Sequence, residues 1–325
     1  MYATLKKHLL VVVAAFATVF VAEAGEVGPE LHIQPAEHIA DASATMMLGA
    51  AVAGNRIVTV GDHGVILLSD DGGKTFRQAS RVPVSSTLNS VAFADARHGW
   101  AVGHWGVILG TTDGGETWQL ERSDLQIDQP LFSVYFRNAR DGWAVGLWSI
   151  VLHTTDGGAS WQTVKVTPPP GAKQADRNLY SIFASNDGRM FMVSERGLVL
   201  STTDGVTWQY IDTGYRGSLW TGVVLADGTL LVGGLRGTLL KSDASLKTWH
   251  PLESGTSSSI TGLVQLGDRR IVASALEGVV ATSTDDGATF RVSRSVDRMP
   301  YTGVVANAKG QPVLLSQNGP TLRLP

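Results

Sequence analysis

Cysteine is missing from all 325 residues of the sequence. That excludes disulfides, thiolate metal sites, a cysteine nucleophile and a lipidated amino-terminal cysteine. Hydrophobic runs are also scarce. The run Leu9–Val21 holds 13 residues, and no later stretch reaches the roughly 18 apolar residues that a membrane helix needs. Apolar residues at helical spacing are not found beyond that run. Charge of either sign is low, with a net of −3, so neither nucleic acid nor an acidic membrane surface is an expected partner.

What is present begins with an export signal. Lys6 and Lys7 precede the apolar run, and Ala22-Glu23-Ala24 offers small residues at the cleavage positions. We expect cleavage after Ala24, residues 25–325 forming one domain, and a periplasmic destination. Removing Lys6, Lys7 and Glu23 brings the net charge of the remaining 301 residues to −4. A chain of that size can bury a core large enough to stand without disulfides.

A short phrase then recurs. TTDGGETW at Thr111–Trp118 returns as TTDGGASW at Thr154–Trp161, SDDGGKTF at Ser69–Phe76 and STDDGATF at Ser283–Phe290. Two worn copies, Thr202–Trp208 and Ser242–Trp249, lie between. The closing aromatics Phe76, Trp118, Trp161, Trp208, Trp249 and Phe290 fall 42, 43, 47, 41 and 41 residues apart. A period in the low forties, built of short alternating apolar segments, marks a propeller blade. In the second unit the segments are SVAFA, GWAVG, GVILGT and TWQLE, separated by turn residues.

The expected fold is therefore all-β: a seven-bladed propeller of four-stranded antiparallel blades. The last unit, from Tyr301, stops after about three strands. Leu31-His32-Ile33-Gln34 is the expected supplier of the fourth, closing the ring by pairing the two chain ends and leaving no open edge.

Within the phrase, Asp113 can accept hydrogen bonds from its own turn, Gly114 and Gly115 allow positive φ, and Trp118 supplies an apolar plug between blades. The phrase resembles the Asp-box, or bacterial neuraminidase repeat, S/T-x-D-x-G-x-T-W. In families that carry it, the box joins the third and fourth strands, away from the functional face. A calcium loop at Ser69–Gly72 lacks the spaced oxygen ligands of a cage. The box is a joint.

Function is then expected at the opposite hairpins, between second and third strands. Their tips read Asp62-His63-Gly64, His104-Trp105-Gly106, Leu147-Trp148-Ser149, Glu195-Arg196-Gly197, Leu235-Arg236-Gly237, Leu276-Glu277-Gly278 and Gln317-Asn318-Gly319. The middle residue varies while the frame repeats, and Trp and Arg are the types that anchor protein interfaces. The long inter-blade link Thr167–Asn178 adds Arg177, and the link after Asp212 adds Arg216. The candidate partner-binding residues are thus His63, His104, Trp105, Trp148, Arg177, Arg196, Arg216 and Arg236. The four arginines are expected to converge on one sector.

The runs His98–Trp118 and Asp141–Trp161 are similar to the photosystem II stability/assembly factor family, and the likeness extends from about Met47 onwards. It implies an exported, non-enzymatic seven-bladed propeller that assembles or stabilises a membrane-protein client. In heterotrophic bacteria it implies other membrane complexes, including transporters of the resistance–nodulation–division type. An arginine-rich patch is what it leads one to expect, and a monomer is the expected state.

Enzyme readings carry less. Sialidases share the box, but their Arg-Ile-Pro start is absent, and among the few glutamates only Glu195 and Glu277 fall at tips. A sialidase-like glycoside hydrolase or a glycan-binding propeller is the alternative. His63 and His104 on adjacent tips lack further metal ligands. We expect no catalytic residue, metal or cofactor.

Overall fold

A computed structural model describes residues 33–325. Seven antiparallel sheets stand around one axis as blades. Blade 1 comprises Met47–Ala53, Arg56–Gly61, Ile66–Ser69 and Arg77–Gln78, and blades 2 to 6 repeat that meander in order. Blade 2, for example, is Leu88–Phe93, Gly99–Gly103, Ile108–Thr111 and Gln119–Arg122, within two residues of the expected segments. The first strand of each blade is innermost and packs against the first strands of its neighbours, from blade 1 round to blade 7 and back.

Burial explains the sequence of each strand. Second strands, such as GWAVG at Gly99–Gly103 and Gly142–Gly146, are buried at every residue because neighbouring blades cover both faces. They consequently read as continuous apolar runs without alternation. Fourth strands lie at the rim and are largely exposed and polar, as in Gln119–Arg122.

The box is the joint between blades. Asp113 accepts the Thr111 hydroxyl at 2.8 Å and the Thr117 backbone N–H at 3.0 Å, closing its turn on itself. Gly115 holds φ at 89°, and a Cβ there would press on Leu68 and Val58 of blade 1. Trp118, 1% exposed, enters the same cluster, which joins Val58, Ile66 and Leu68 of blade 1 to Val91, Ala101 and Leu109 of blade 2. Its indole N–H donates to Gly115 O at 2.9 Å. The six aromatics are not equally buried. Trp118 and Trp208 are buried, whereas Phe76, Trp161, Trp249 and Phe290 are partly exposed.

These turns make the fold acid-sensitive. The Ser160 hydroxyl and backbone N–H hold Asp156 down to about 2, and Thr289 holds Asp285 likewise at about 2. Carboxylates favoured in the folded state contribute stability above their ordinary value, and that contribution is lost as pH falls through the folded one. The urea midpoint should therefore drop between pH 4 and pH 2. Asp156→Asn should shallow that slope, and an unchanged slope would mean this turn carries no charge-dependent stability.

Ring closure differs from the expectation. Blade 7 has the strands Tyr301–Ala306 and Pro312–Ser316, with a third run held by a bridge between Leu314 and Thr321. Leu31 and His32 lie outside the described residues, as does the expected signal peptide. Ile33 and Gln34 do not join blade 7. Their segment runs instead along the rim of blade 1, where the Ala36 N–H donates to Val82 O at 3.0 Å and the Gln78 side chain binds Glu37 O at 2.8 Å. The reason is apolar: Ile33 and Ala36 cover the cluster shared by blades 1 and 2. Blade 7 meets blade 1 face to face. The Thr302 hydroxyl donates to Met47 O, and Asn307 Nδ2 donates to Gly72 O at 2.8 Å.

Candidate functional site

The second–third hairpins turn through two left-handed residues. His63, Trp105, Trp148, Arg196, Arg236 and Glu277 have φ between 53° and 58°, and a Gly or Ser with positive φ follows each. Two such residues in succession match the right-handed twist of the flanking strands. The first is not glycine, although a side chain there costs on the order of 1 kcal/mol. The second is glycine for lack of room: a Cβ on Gly64 would lie 2.0 Å from Val84 O, and one on Gly237 1.9 Å from Thr256 O. The frame thus sets each tip close against the following inter-blade link; the preceding side chain is exposed at His63, Trp148, Arg196, Arg236 and Glu277, whereas Trp105 packs against the core shared by blades 1 and 2.

Blade 3 breaks that rule and builds the site. Ser149, φ 58°, replaces the glycine, and both its N–H and its hydroxyl donate to Arg177 O, at 2.7 and 3.0 Å. The adjacent Trp148 N–H donates to Asn178 Oδ1 at 3.2 Å. The long link is thereby pinned to the blade 3 tip, which seats Arg177 over the outer part of blade 4.

A cavity of about 410 Å³ results, walled by Pro169 and Pro170 on one side and by Arg177, Arg196, Tyr210, Asp212 and Arg216 on the other. Arg177 is 16% exposed and its Nη1 lies 3.1 Å from Asp176, while its Nε is buried without a hydrogen-bond partner. Tyr210 Oη is likewise buried and unpartnered. Burial pushes the Tyr210 phenol up, an effect that the Arg177 charge partly offsets. Arg216 is largely exposed and reaches Asp212 at 2.9 Å. The Gly214 backbone N–H, then Arg216, hold the Asp212 carboxyl below its ordinary range. Three guanidinium groups face one carboxylate in the wall, so the cavity has a positive excess.

The expected convergence is therefore real but smaller than four. Arg177, Arg196 and Arg216 share the cavity. Arg236 stands outside it on the blade 5 tip, where its N–H donates to Ser259 Oγ at 3.1 Å. Trp148, 57% exposed, adjoins the cavity through Ser149 and Asn178. His104 and Trp105 belong one blade earlier and are held by Asp128, at 3.2 Å from His104 Nδ1 and 2.8 Å from the Trp105 N–H. His63 lines a separate cavity with Pro35 and Ile39. Sequence reading passed over Tyr210 and Asp212. Their signal was the Tyr-Ile-Asp that begins two residues after the box tryptophan Trp208, on the fourth strand of the blade.

The family described as photosynthesis system II assembly factor YCF48 matches residues 78–264, more than half of the 325-residue chain. No curated protein matches at a significant level. Among solved structures, YCF48 bound to D1 peptide has a TM-score of 0.70 and 22% identity, spanning 90% of this chain and 97% of its own. YCF48 from Cyanidioschyzon merolae gives 0.69 and 16%, spanning 86% and 94%. The extracellular domain of the one-component system BT4673 from B. thetaiotaomicron gives 0.68 and 11%, spanning 89% of this chain and 40% of that one. At such identities the structures establish the propeller, and the sequence match establishes descent. The chain belongs to the photosynthesis system II assembly factor YCF48 family.

Proposed function

We propose that the protein is an exported, non-enzymatic assembly or accessory factor that holds an acidic segment of a membrane-protein complex on its tip face. A transporter of the resistance–nodulation–division type is the client class we favour. The observation that carries this reading is the meeting of Arg177, Arg196 and Arg216 around one cavity whose only lining carboxylate is Asp212, with Asp176 paired to Arg177 behind the wall, which leaves one guanidinium in excess. Guanidinium groups pair with carboxylates through two parallel hydrogen bonds, which orients as well as attracts the ligand. A solved relative is bound to a D1 peptide, which supports peptide recognition on this fold. The glycosidase alternative needs two carboxyls flanking one bond. Glu195 is instead tied to Asn178 at 2.9 Å on blade 4, Glu277 lies 3.6 Å from Arg294 on blade 6, and the blade 5 tip stands between them.

The test is titration with short peptides of Glu and Ala carrying a free carboxyl terminus. Arg177→Gln, Arg196→Ala and Arg216→Ala together should weaken binding about tenfold or more, from the loss of charged hydrogen bonds each worth roughly 1.5–3 kcal/mol. Binding by the unaltered protein should fall with added salt. Equal affinity in the triple variant would overturn the assignment.

A further inference from the structure

The innermost strand of every blade carries a bulge one residue in from its tip-side end. Register shifts in the first hairpin of all seven blades leave Leu48, Asn89, Phe132, Tyr180, Trp220, Thr261 and Thr302 without a cross-strand partner. A bulged residue is released from the ladder and its side chain re-aimed. In three blades that side chain is a clasp. Asn89 Nδ2 donates to Leu131 O at 2.9 Å, Thr261 Oγ1 to Tyr301 O at 2.9 Å, and Thr302 Oγ1 to Met47 O, each time to the first inner residue of the next blade.

Leu48 in blade 1 is aliphatic and makes no such bond, and blades 3, 4 and 5 depart further. Their bulged residues are Phe132, Tyr180 and Trp220, which make no clasp and remain partly exposed. Phe132 and Tyr180 stack with ring centroids 5.7 Å apart and planes 20° apart. Tyr180 Oη lies 3.4 Å from Glu195, the neighbour of Arg196 on the same tip. Three consecutive aromatics at a position that fastens the ring in blades 2, 6 and 7, in the sector of the arginine cavity, are not needed for closure. The Thr and Asn blades close without them.

We propose that Phe132, Tyr180 and Trp220 form an apolar shelf that receives an aromatic or branched aliphatic side chain of the segment whose carboxylate enters the Arg177–Arg196–Arg216 cavity. The proposal rests on the peptide-binding reading above and specifies its ligand: an extended acidic segment with a large apolar residue inboard of the acid. The pairing of charges at the cavity sets where the segment lies, and the shelf selects which segment.

The experiment uses the full chain and two sets of peptides, one of Glu and Ala only and one with a single Phe moved along that background. Burying the Phe side chain should tighten binding by about tenfold or more at the best position. Phe132→Thr, Tyr180→Asn and Trp220→Thr install the residue types that blades 2, 6 and 7 use at the same bulge, so the ring keeps its fastening. That variant should bind both sets with the affinity of the Ala peptides and retain their salt dependence. Persistent preference for Phe in the variant, or no preference in the unaltered protein, overturns the shelf while leaving the cavity standing. Failure of the unaltered protein to bind either set overturns both. A single Trp220→Thr change, read by peptide titration and by urea unfolding, separates lost selection from lost folding.

Discussion

Trp118→Ala should lower the free energy of unfolding by about 3–5 kcal/mol, the range for removing a large aromatic from a closed core. The indole is 1% exposed, meets Phe93 edge-on with centroids 6.2 Å apart, and donates its N–H to Gly115 O. Truncation leaves a void between blades 1 and 2 that the sheets cannot close, since each is fixed by its own ladder. The same change at Trp161 should cost markedly less. That ring is partly exposed, and its N–H makes no hydrogen bond of good geometry. The check is urea unfolding of both variants with the denaturant slope held constant. If the two changes cost the same, burial between blades is not what the box tryptophan contributes.

That contrast shows how far the sequence speaks. The period, the turn residues and the apolar segments disclosed the blades, because every copy repeats the same local chemistry. The box copies also placed the joints. They could not rank them, since the depth of a plug depends on its neighbour: Trp100 and Trp143, on second strands, fill the adjoining joints and donate to Gly157 O and Gly205 O of the next blade's box. The tips were legible as a variable residue in a fixed turn. The cavity was legible only in part. Arg177 was visible as a link residue, but its position is held by bonds from Ser149 and Trp148 to the link, which no local pattern announces. The course of Ile33 and Gln34 was missed for a similar reason. Ile33 and Ala36 satisfy an apolar surface on blade 1 that a strand pattern does not announce.

The bulge residues carry the same lesson. In sequence Asn89, Phe132 and Tyr180 each follow the leucine that opens an inner strand, and nothing local marks them as unpaired. The clasp becomes visible only when the next blade supplies the carbonyl. Divergence that reads as neutral drift along the chain becomes, around the ring, a division between blades that are fastened and blades that are exposed. The arginine cavity and the aromatic bulges fall in the same sector, and that coincidence gives the tip face a direction.

Glu121→Gln should raise stability above pH 7 by up to about 3 kcal/mol. The carboxyl is wedged between blades. A Cβ on Gly110 would lie 1.9 Å from its Oε1, and one on Gly158, in the blade 3 box, 2.0 Å from its Oε2. Oε2 is buried with no hydrogen-bond partner of good geometry. Burial pushes the acid up to about 7; the nearby indole N–H groups of Trp161 and Trp100 offset part of the rise, and the Asp156 charge adds to it. Between the ordinary value of 4.5 and about 7 the folded protein keeps a proton that the unfolded chain has released. Stability therefore declines as pH rises through that window and levels off above it. This runs opposite to the box aspartates, whose contribution is lost only in strong acid, and the two together put the stability optimum on the acid side of neutrality. An amide removes the titration, so the variant's stability should be flat across the window where the unaltered protein's falls. Urea midpoints measured from pH 4 to pH 8 decide it: a slope that survives the substitution would assign the effect to another group.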